Sequence, residues 1–295
     1  MHGMSTTSIA HSPSSAPLSE GEQRALLLLL ADEDPQVYRT VRHRILAEGD
    51  SALRWLKPAR LSDDALQRRR ATEIVRHITM RHADDRFLAF CLNSGEDLDL
   101  EEGIFLLAQT QYPDINISGY NAILDDYAAD LRERLDFGAA AAQMIAGINE
   151  YLFKLQTYHG NEANYYEPEN SYLNKVIDRR KGNPISLCII YLLLARRLHL
   201  PITGIGMPGH FLCRFQTPTE ELFIDAFNSG KVLTKGDCVK YLLHTRDGFK
   251  EAYLAPITNR RTLLRVCSNL HQIYSQQTRK NDIARFQRYI VALAK

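Results

Sequence analysis

The sequence has no surplus of charge: 36 Lys and Arg stand against 35 Asp and Glu, a formal net charge of +1. Without a strong basic or acidic excess, neither a nucleic-acid nor a membrane partner is expected. Cysteine is sparse. Cys91, Cys188, Cys213, Cys238 and Cys267 are odd in number, scattered and without any CxxC spacing, so they form no disulfide framework and read as reduced thiols of a cytoplasmic protein. Residues 1–17 are rich in Ser and Thr, contain two Pro and lack an apolar core segment. They are expected to be a disordered tail rather than a signal peptide or a membrane span. No cofactor and no metal is expected. What is present is an ordinary balance, 45% hydrophobic and 24% charged over 295 residues, long enough for two domains with their own cores.

The most apolar helix signal lies at 185–198, where only Ser186, Tyr191, Arg196 and Arg197 interrupt the apolar residues. A helix without a polar face is buried, and this one is too short to cross a bilayer, so it is read as a central core helix. Asn183 and Pro184 suit its N-cap and first position, because the Asn side chain can accept a free backbone N–H and Pro has none to leave unsatisfied. Pro201 forbids continuation, 202–207 reads as a short strand, and Pro208-Gly209 as a turn. Two β-rich runs follow, 210–215 and 221–227. Joined by a four-residue loop at 216–219, they form a hairpin that pairs His210 with Asp225 and Arg214 with Glu221. Leu212 and Phe223 share that face, while Phe211, Cys213, Phe215, Leu222 and Ile224 form the opposite, apolar one. The register sets the His210 and Asp225 Cβ atoms about 5 Å apart, close enough for the carboxylate to orient the imidazole.

The remaining chain reads mainly as helix. Over 18–140 an apolar run at 26–30 is followed by a helix restarted at Asp34-Pro35, a second at 52–56 stopped by Pro58, and a third opening at 62–64 and reaching about Arg81. This rhythm resembles a degenerate helical repeat, although the copies lack self-similarity. Arg68, Arg69, Arg70, Arg76 and Arg81 lie beside Asp63, Asp64 and Glu73 at helical spacing, which describes a solvated face rather than a nucleic-acid surface. Residues 137–142 form a small-residue junction, placing a domain boundary at 140. A helix over 144–153, a turn at 159–161, a helix carrying Leu173, Val176 and Ile177 that Asn170 can cap, and a helix over 235–241 complete a domain at 141–255. Leu263, Val266, Leu270 and Ile273 define a helical stripe; with a last helix at 282–293 it makes a hairpin over 256–295 that must dock on the body to be stable.

Five segments carry a family resemblance: YYEPENSYLN at 165–174, RRKGNP at 179–184, ARRL at 195–198, PGHF at 208–211 and IDAF at 224–227, with a supporting DLEEG run at 99–103. Together they resemble the SirB-type family of the transglutaminase-like, papain-like superfamily. The resemblance implies an α+β fold: a helical N-terminal domain, a core with a buried helix on an antiparallel sheet, and a C-terminal helical hairpin like a tetratricopeptide unit. In active superfamily members a Cys two residues beyond a Gly opens the central helix as nucleophile, with His and Asp on the following strands. His210 and Asp225 match the latter two positions. The position two beyond Gly182 is Pro184, which has no nucleophilic atom. Ser186 or Cys188 remains as a substitute, each with a plainer role, Ser186 in a local backbone hydrogen bond and Cys188 in the core. Asn170, Asn174 and Arg180 either line a cleft near Pro184 and His210 or serve as a cap and a surface charge. Three functions stay open on this basis: a non-catalytic module binding a peptide or protein, a hydrolase or acyltransferase using Ser186 or Cys188, and a helical scaffold with a vestigial cleft.

Overall fold

In the computed structural model, which describes residues 18–295, Asn183 and Pro184 start a helix as their chemistry requires. The Asn183 side chain accepts from the Ser186 backbone N–H at 3.0 Å, and the Ser186 hydroxyl accepts from the Asn183 N–H at 3.0 Å. This reciprocal cap begins Pro184–Arg197, of which eleven residues are buried. The tail at 1–17 lies outside the described residues.

In order, the helices are α1 (Glu20–Leu29), α2 (Pro35–Glu48), α3 (Asp50–Leu56), α4 (Ala65–Asn93), α5 (Leu100–Gln109), α6 (Ile117–Arg134), α7 (Ala141–Asn149), α8 (Leu173–Arg179), α9 (Pro184–Arg197), α10 (Lys235–Leu243), α11 (Asn259–Gln276) and α12 (Lys280–Leu293). The strands are β1 (His159–Gly160), β2 (Lys181–Gly182), β3 (Ile202–Ile205), β4 (Leu212–Gln216), β5 (Glu221–Asp225) and β6 (Lys231–Leu233). β1 and β2 form a short parallel pair, and β3-β4-β5-β6 an antiparallel sheet in that order. The fold is α+β.

Two compact units divide between Arg81 and His82. In the first, Val41, Ile45, Leu56, Ile74 and Ile78 make a small helical core, and buried Arg70 donates to the carbonyls of Leu30 and Asp32 past the end of α1. The second holds α9 and the sheet. α5 and α6, grouped with the N-terminal helices in the sequence reading, share this larger core, because Ile104, Phe105, Leu107 and Leu124 pack into the same cluster as α9. Glu101, 6% exposed, receives bonds from both Arg196 and Arg197, while Asp99 takes the other terminal nitrogen of Arg196 and Asp125 the Nε of Arg197. The DLEEG and ARRL segments are thus the two halves of one ion-pair cluster that ties the end of α9 to α5 and α6.

The C-terminal hairpin docks through two buried arginines. Arg260 donates to four carbonyls, of Cys91, Ser94, Ala292 and Leu293, at 2.7 to 3.1 Å, closing the ends of α4 and α12 together. Arg285 does the same for Thr110 past the end of α5, at 2.9 Å. Carbonyls at a helix end lack intrahelical partners, and a guanidinium supplies several donors at once.

The β4-β5 register differs from the expected one by two residues. Gln216 stands opposite Glu221, Arg214 opposite Phe223 and Cys213 opposite Ile224, around a loop at 217–220 instead of 216–219. The Thr217 N–H to Glu220 carbonyl bond, at 2.9 Å, closes this loop. A slip of two preserves the faces, since side chains alternate with period two. Cys213, Phe215 and Ile224 therefore still pack in the α9 core, while Leu212 and Phe223 join Ile205, Met207, Cys238 and Leu242 beneath α10. Asn170 does not cap α8: Tyr172 holds the N-cap position with no side-chain bond. The segment at 159–161, read as a turn, instead supplies β1, whose partner residues are Lys181 and Gly182.

Candidate functional site

His210 precedes β4 and is aimed by a tight turn. Its N–H bonds the Met207 carbonyl at 3.2 Å, with Pro208 and Gly209 at the two central positions and Gly209 at φ +74°. Pro followed by a residue of positive φ is the pattern of a type II turn, and Gly is the residue that adopts that φ without strain. From there the ring reaches diagonally to the end of β5, where Nε2 lies 2.9 Å from Asp225 Oδ2.

Asp225 is 5% exposed and fully engaged. Oδ2 also accepts from Asn228 Nδ2 at 2.7 Å, and Oδ1 from the N–H groups of Phe227 and Asn228, both at 3.2 Å. Burial pushes the Asp225 carboxyl up, but the hydrogen bond and charge of His210, joined by the bonds from Asn228, outweigh it and hold the pKa below the ordinary value. The carboxylate is therefore ionised at neutral pH and can only accept, so Nε2 donates and Nδ1 is left for a ligand. The rings of Tyr241 and Phe227 flank the imidazole at centroid distances of 6.0 and 6.5 Å.

The helix side is different. Pro184 lines the same cleft as His210 and offers neither a nucleophilic atom nor an N–H. Ser186 is 1% exposed, and its hydroxyl both accepts from the Asn183 N–H and sits 3.1 Å from the Asn183 carbonyl. A Cβ on Gly182 would fall 2.4 Å from Ser186 Oγ, so the glycine is what lets this cap close. Cys188 is fully buried, with Sγ 3.5 Å from the Phe211 carbonyl, and Cys213 Sγ lies 3.7 Å from the Cys188 carbonyl. Burial first, and then the Cys213 thiol, push the Cys188 thiol well above its ordinary value, so it stays protonated. Neither Ser186 nor Cys188 is brought to the imidazole by a hydrogen bond.

The cleft has two lobes that share Tyr165, Pro184, Gly209 and His210. The larger, about 670 Å³, extends under α10 past Asp225, Lys231 and Tyr241. The smaller, about 200 Å³, is walled by Tyr166 and by Arg265, Asn269 and Gln272 of α11. Of the four positions read as cleft-lining, Pro184 lies in both lobes, and Asn170, Asn174 and Arg180 line neither. Asn170 is a brace: its amide donates to the carbonyls of Asn164 and Tyr165 at 2.8 and 3.2 Å and accepts from Asn161 at 2.9 Å, fixing the loop that carries Tyr165. Arg180 has a left-handed backbone, φ 56°, and turns to Tyr158, donating to its hydroxyl at 3.0 Å. Asn174 is 2% exposed beside Tyr120.

Several lining residues escaped the sequence reading. Asn228, three residues after Asp225, carries the signal of a polar turn closing back on a carboxylate. Arg265, Asn269 and Gln272 form a polar stripe with i, i+4, i+7 spacing on a helix read only for its apolar side. All five cysteines are buried free thiols, no cluster of His, Cys, Asp and Glu suited to a metal occurs among the described residues, and no described helix is long and apolar enough to cross a membrane.

A buried, capped helix and a His–Asp pair at an adjoining antiparallel sheet, meeting in one cleft, describe a papain-like fold. A family model described as "Transglutaminase-like superfamily" matches residues 118–268, half of the chain, and the chain belongs to that superfamily. It is 35% identical over 196 residues to a UPF0162 protein of Xylella fastidiosa (strain 9a5c), covering 64% of this chain and 70% of that one. A UPF0162 protein of Pseudomonas aeruginosa is 30% identical over 155 residues, 52% of this chain and 56% of its own. F-box only protein 21 of Homo sapiens is 36% identical over 110 residues, 35% of this chain and 17% of that much longer protein. No solved structure matches.

Proposed function

We propose that this chain is a transglutaminase-like protein without catalytic function, whose cleft binds an extended peptide or a segment of another protein. Within the superfamily it takes a place in the SirB-type branch, in the cytoplasm, with α11 and α12 as a single tetratricopeptide-like unit completing the body. The observation that carries this reading is Pro184 at the helix start, in the cleft that His210 enters, with Ser186 and Cys188 both turned into the interior. An imidazole held by an ionised carboxylate has nothing there to activate. It remains an oriented polar group in a groove rimmed by Tyr165, Tyr166 and Tyr241, 36%, 55% and 42% exposed. Exposed aromatic side chains beside a few placed polar groups are the composition of a recognition surface.

The test joins labelling and binding. Iodoacetamide and a fluorophosphonate probe, applied to the folded protein and read by peptide mass mapping, leave Ser186 and Cys188 unmodified. An array of random amidated hexapeptides captures the protein, and His210→Trp, which fills the groove, abolishes capture. Modification of Ser186 or Cys188 that disappears in His210→Ala overturns the non-catalytic reading, and capture unaffected by His210→Trp overturns the cleft as the binding site.

A further inference from the structure

The smaller lobe contains a cation without an acid. Arg265 is partly buried, no carboxylate among the described residues lines this lobe, and its one acceptor among them is the Met207 carbonyl at a long 3.4 Å. Other guanidiniums of this unit are matched closely, Arg197 by Glu101 and Asp125, Arg179 by Glu167 and Glu169, and Arg260 by four carbonyls, whereas Arg180 has only the Tyr158 hydroxyl and the ring faces of Tyr127 and Tyr158. One turn and two turns further along α11, Asn269 and Gln272 line the same wall, and their side chains make no hydrogen bond among the described residues. Three donor-bearing side chains thus form a stripe that faces into the lobe and is left open. The guanidinium lines the smaller lobe together with Tyr165, Pro184 and His210, the residues through which that lobe opens into the larger one.

We infer that the small lobe is a subsite for an acidic side chain, Asp or Glu, of a peptide whose backbone continues past His210 into the larger lobe. This assignment rests on the peptide-binding reading of the cleft and adds to it the chemical class of the ligand. A guanidinium binds a carboxylate through two parallel N–H donors, and the amides of Asn269 and Gln272 can complete the acceptor's remaining lone pairs. The lobe's volume, about 200 Å³, holds one side chain and not a folded element. An acidic side chain is favoured over a chain terminus because the groove does not end at Arg265: it passes from there through the shared residues Pro184 and His210 into a space more than three times as large.

The experiment uses N-acetylated, C-amidated hexapeptide libraries in which one position is fixed as Glu, Gln, Lys or Leu and the others are randomised. Binding to the full chain is followed by fluorescence anisotropy, with a thermal melt of each variant recorded in parallel. At one fixed position the Glu library binds about tenfold more tightly than the Gln library, the scale of one charge-assisted pair. Arg265→Gln removes that preference, so that the Glu and Gln libraries bind alike, Arg265→Lys keeps part of it, and Arg265→Glu turns it toward the Lys library. Equal binding of the Glu and Gln libraries, or a Glu preference that survives in Arg265→Gln, overturns the subsite while leaving the peptide cleft in place. A preference that appears only when peptides carry a free C-terminal carboxylate also overturns it, by moving the charge to the chain end. Absence of binding by every library, at a normal melting temperature, overturns the cleft reading and the subsite together.

Discussion

The strand side of the cleft and its helix side have been shaped for different ends. On the strand side, His210 and Asp225 keep the geometry of a working pair, with a carboxylate held ionised by four hydrogen bonds and one ring nitrogen free for a ligand. On the helix side, every group that might have been a nucleophile is occupied or absent: Pro184 has none, Ser186 is locked into the helix cap, and Cys188 is a core thiol. The contrast teaches that orientation and activation are separable. The imidazole keeps its orientation without a nucleophile beside it, because its partner Asp225 is also a structural acceptor for the turn at 227–228.

That difference can be tested by damaging each side in turn, beginning with the largest effect. Asp225→Ala removes four accepted bonds and leaves partly buried donors on His210, Phe227 and Asn228 without their partner, and should cost about 3 kcal/mol of stability in urea unfolding. The milder Asp225→Asn removes the charge and replaces one accepting oxygen by an amide donor. Because the folded-state pKa of Asp225 lies below its unfolded value, its contribution is fully present above the ordinary carboxylate range and is lost as pH falls through the folded value. The wild-type protein should therefore lose stability below about pH 4 more steeply than the Asn variant, and parallel curves would show that the carboxylate is not held charged by its partners.

Next comes the helix side. Gly182→Ala would drive a methyl to within 2.4 Å of Ser186 Oγ and 3.0 Å of Val176, breaking the cap and crowding the core. A loss of about 2 kcal/mol is expected by thermal or urea unfolding. An unchanged midpoint would mean that the cap does not depend on the glycine. The smallest effect belongs to Ser186→Ala, about 1 kcal/mol, the usual worth of half a helix cap. Its peptide binding should match wild type, whereas His210→Ala should lose binding with less loss of stability than Asp225→Ala. If Ser186→Ala instead weakens binding with no change in stability, the helix side has a function beyond structure.

Much of this contrast was legible from residues alone. Asn before Pro before an all-apolar run has one favourable arrangement, and α9 adopts it because cap chemistry and burial agree. The His210 and Asp225 pairing was found through a register wrong by two. It survived because a two-residue slip keeps every side chain on its face, and because a His outside the strand can still reach diagonally. Local signals failed where the deciding partner was distant in sequence. Asn170 looks like a cap beside α8, yet its partners lie in the loop at 161–165. Arg180 looks like a cleft charge, yet a left-handed backbone turns it toward Tyr158. The contribution of α11 to the cleft depends on tertiary docking through Arg260 and Arg285, and nothing near Arg265 announces it. The extent of the first helical unit was misread for the same reason, since α5 and α6 owe their place to Arg196 and Arg197 on α9.

The most direct measurement restores the missing atom. Pro184→Cys places a thiol at the first turn of α9, where open N–H groups and the helix dipole favour the thiolate, in the cleft shared with His210. The other five cysteines are buried, so the rate of iodoacetamide alkylation at residue 184 can be followed by mass mapping between pH 5 and 9 in this variant and in the same variant carrying His210→Ala. The account predicts alkylation at pH 6 about tenfold faster with His210 present, and a rate profile shifted toward acid. Equal rates and superimposable profiles would contradict it, because position 184 would then not face the histidine, and Pro184 would not be the residue that silences the site.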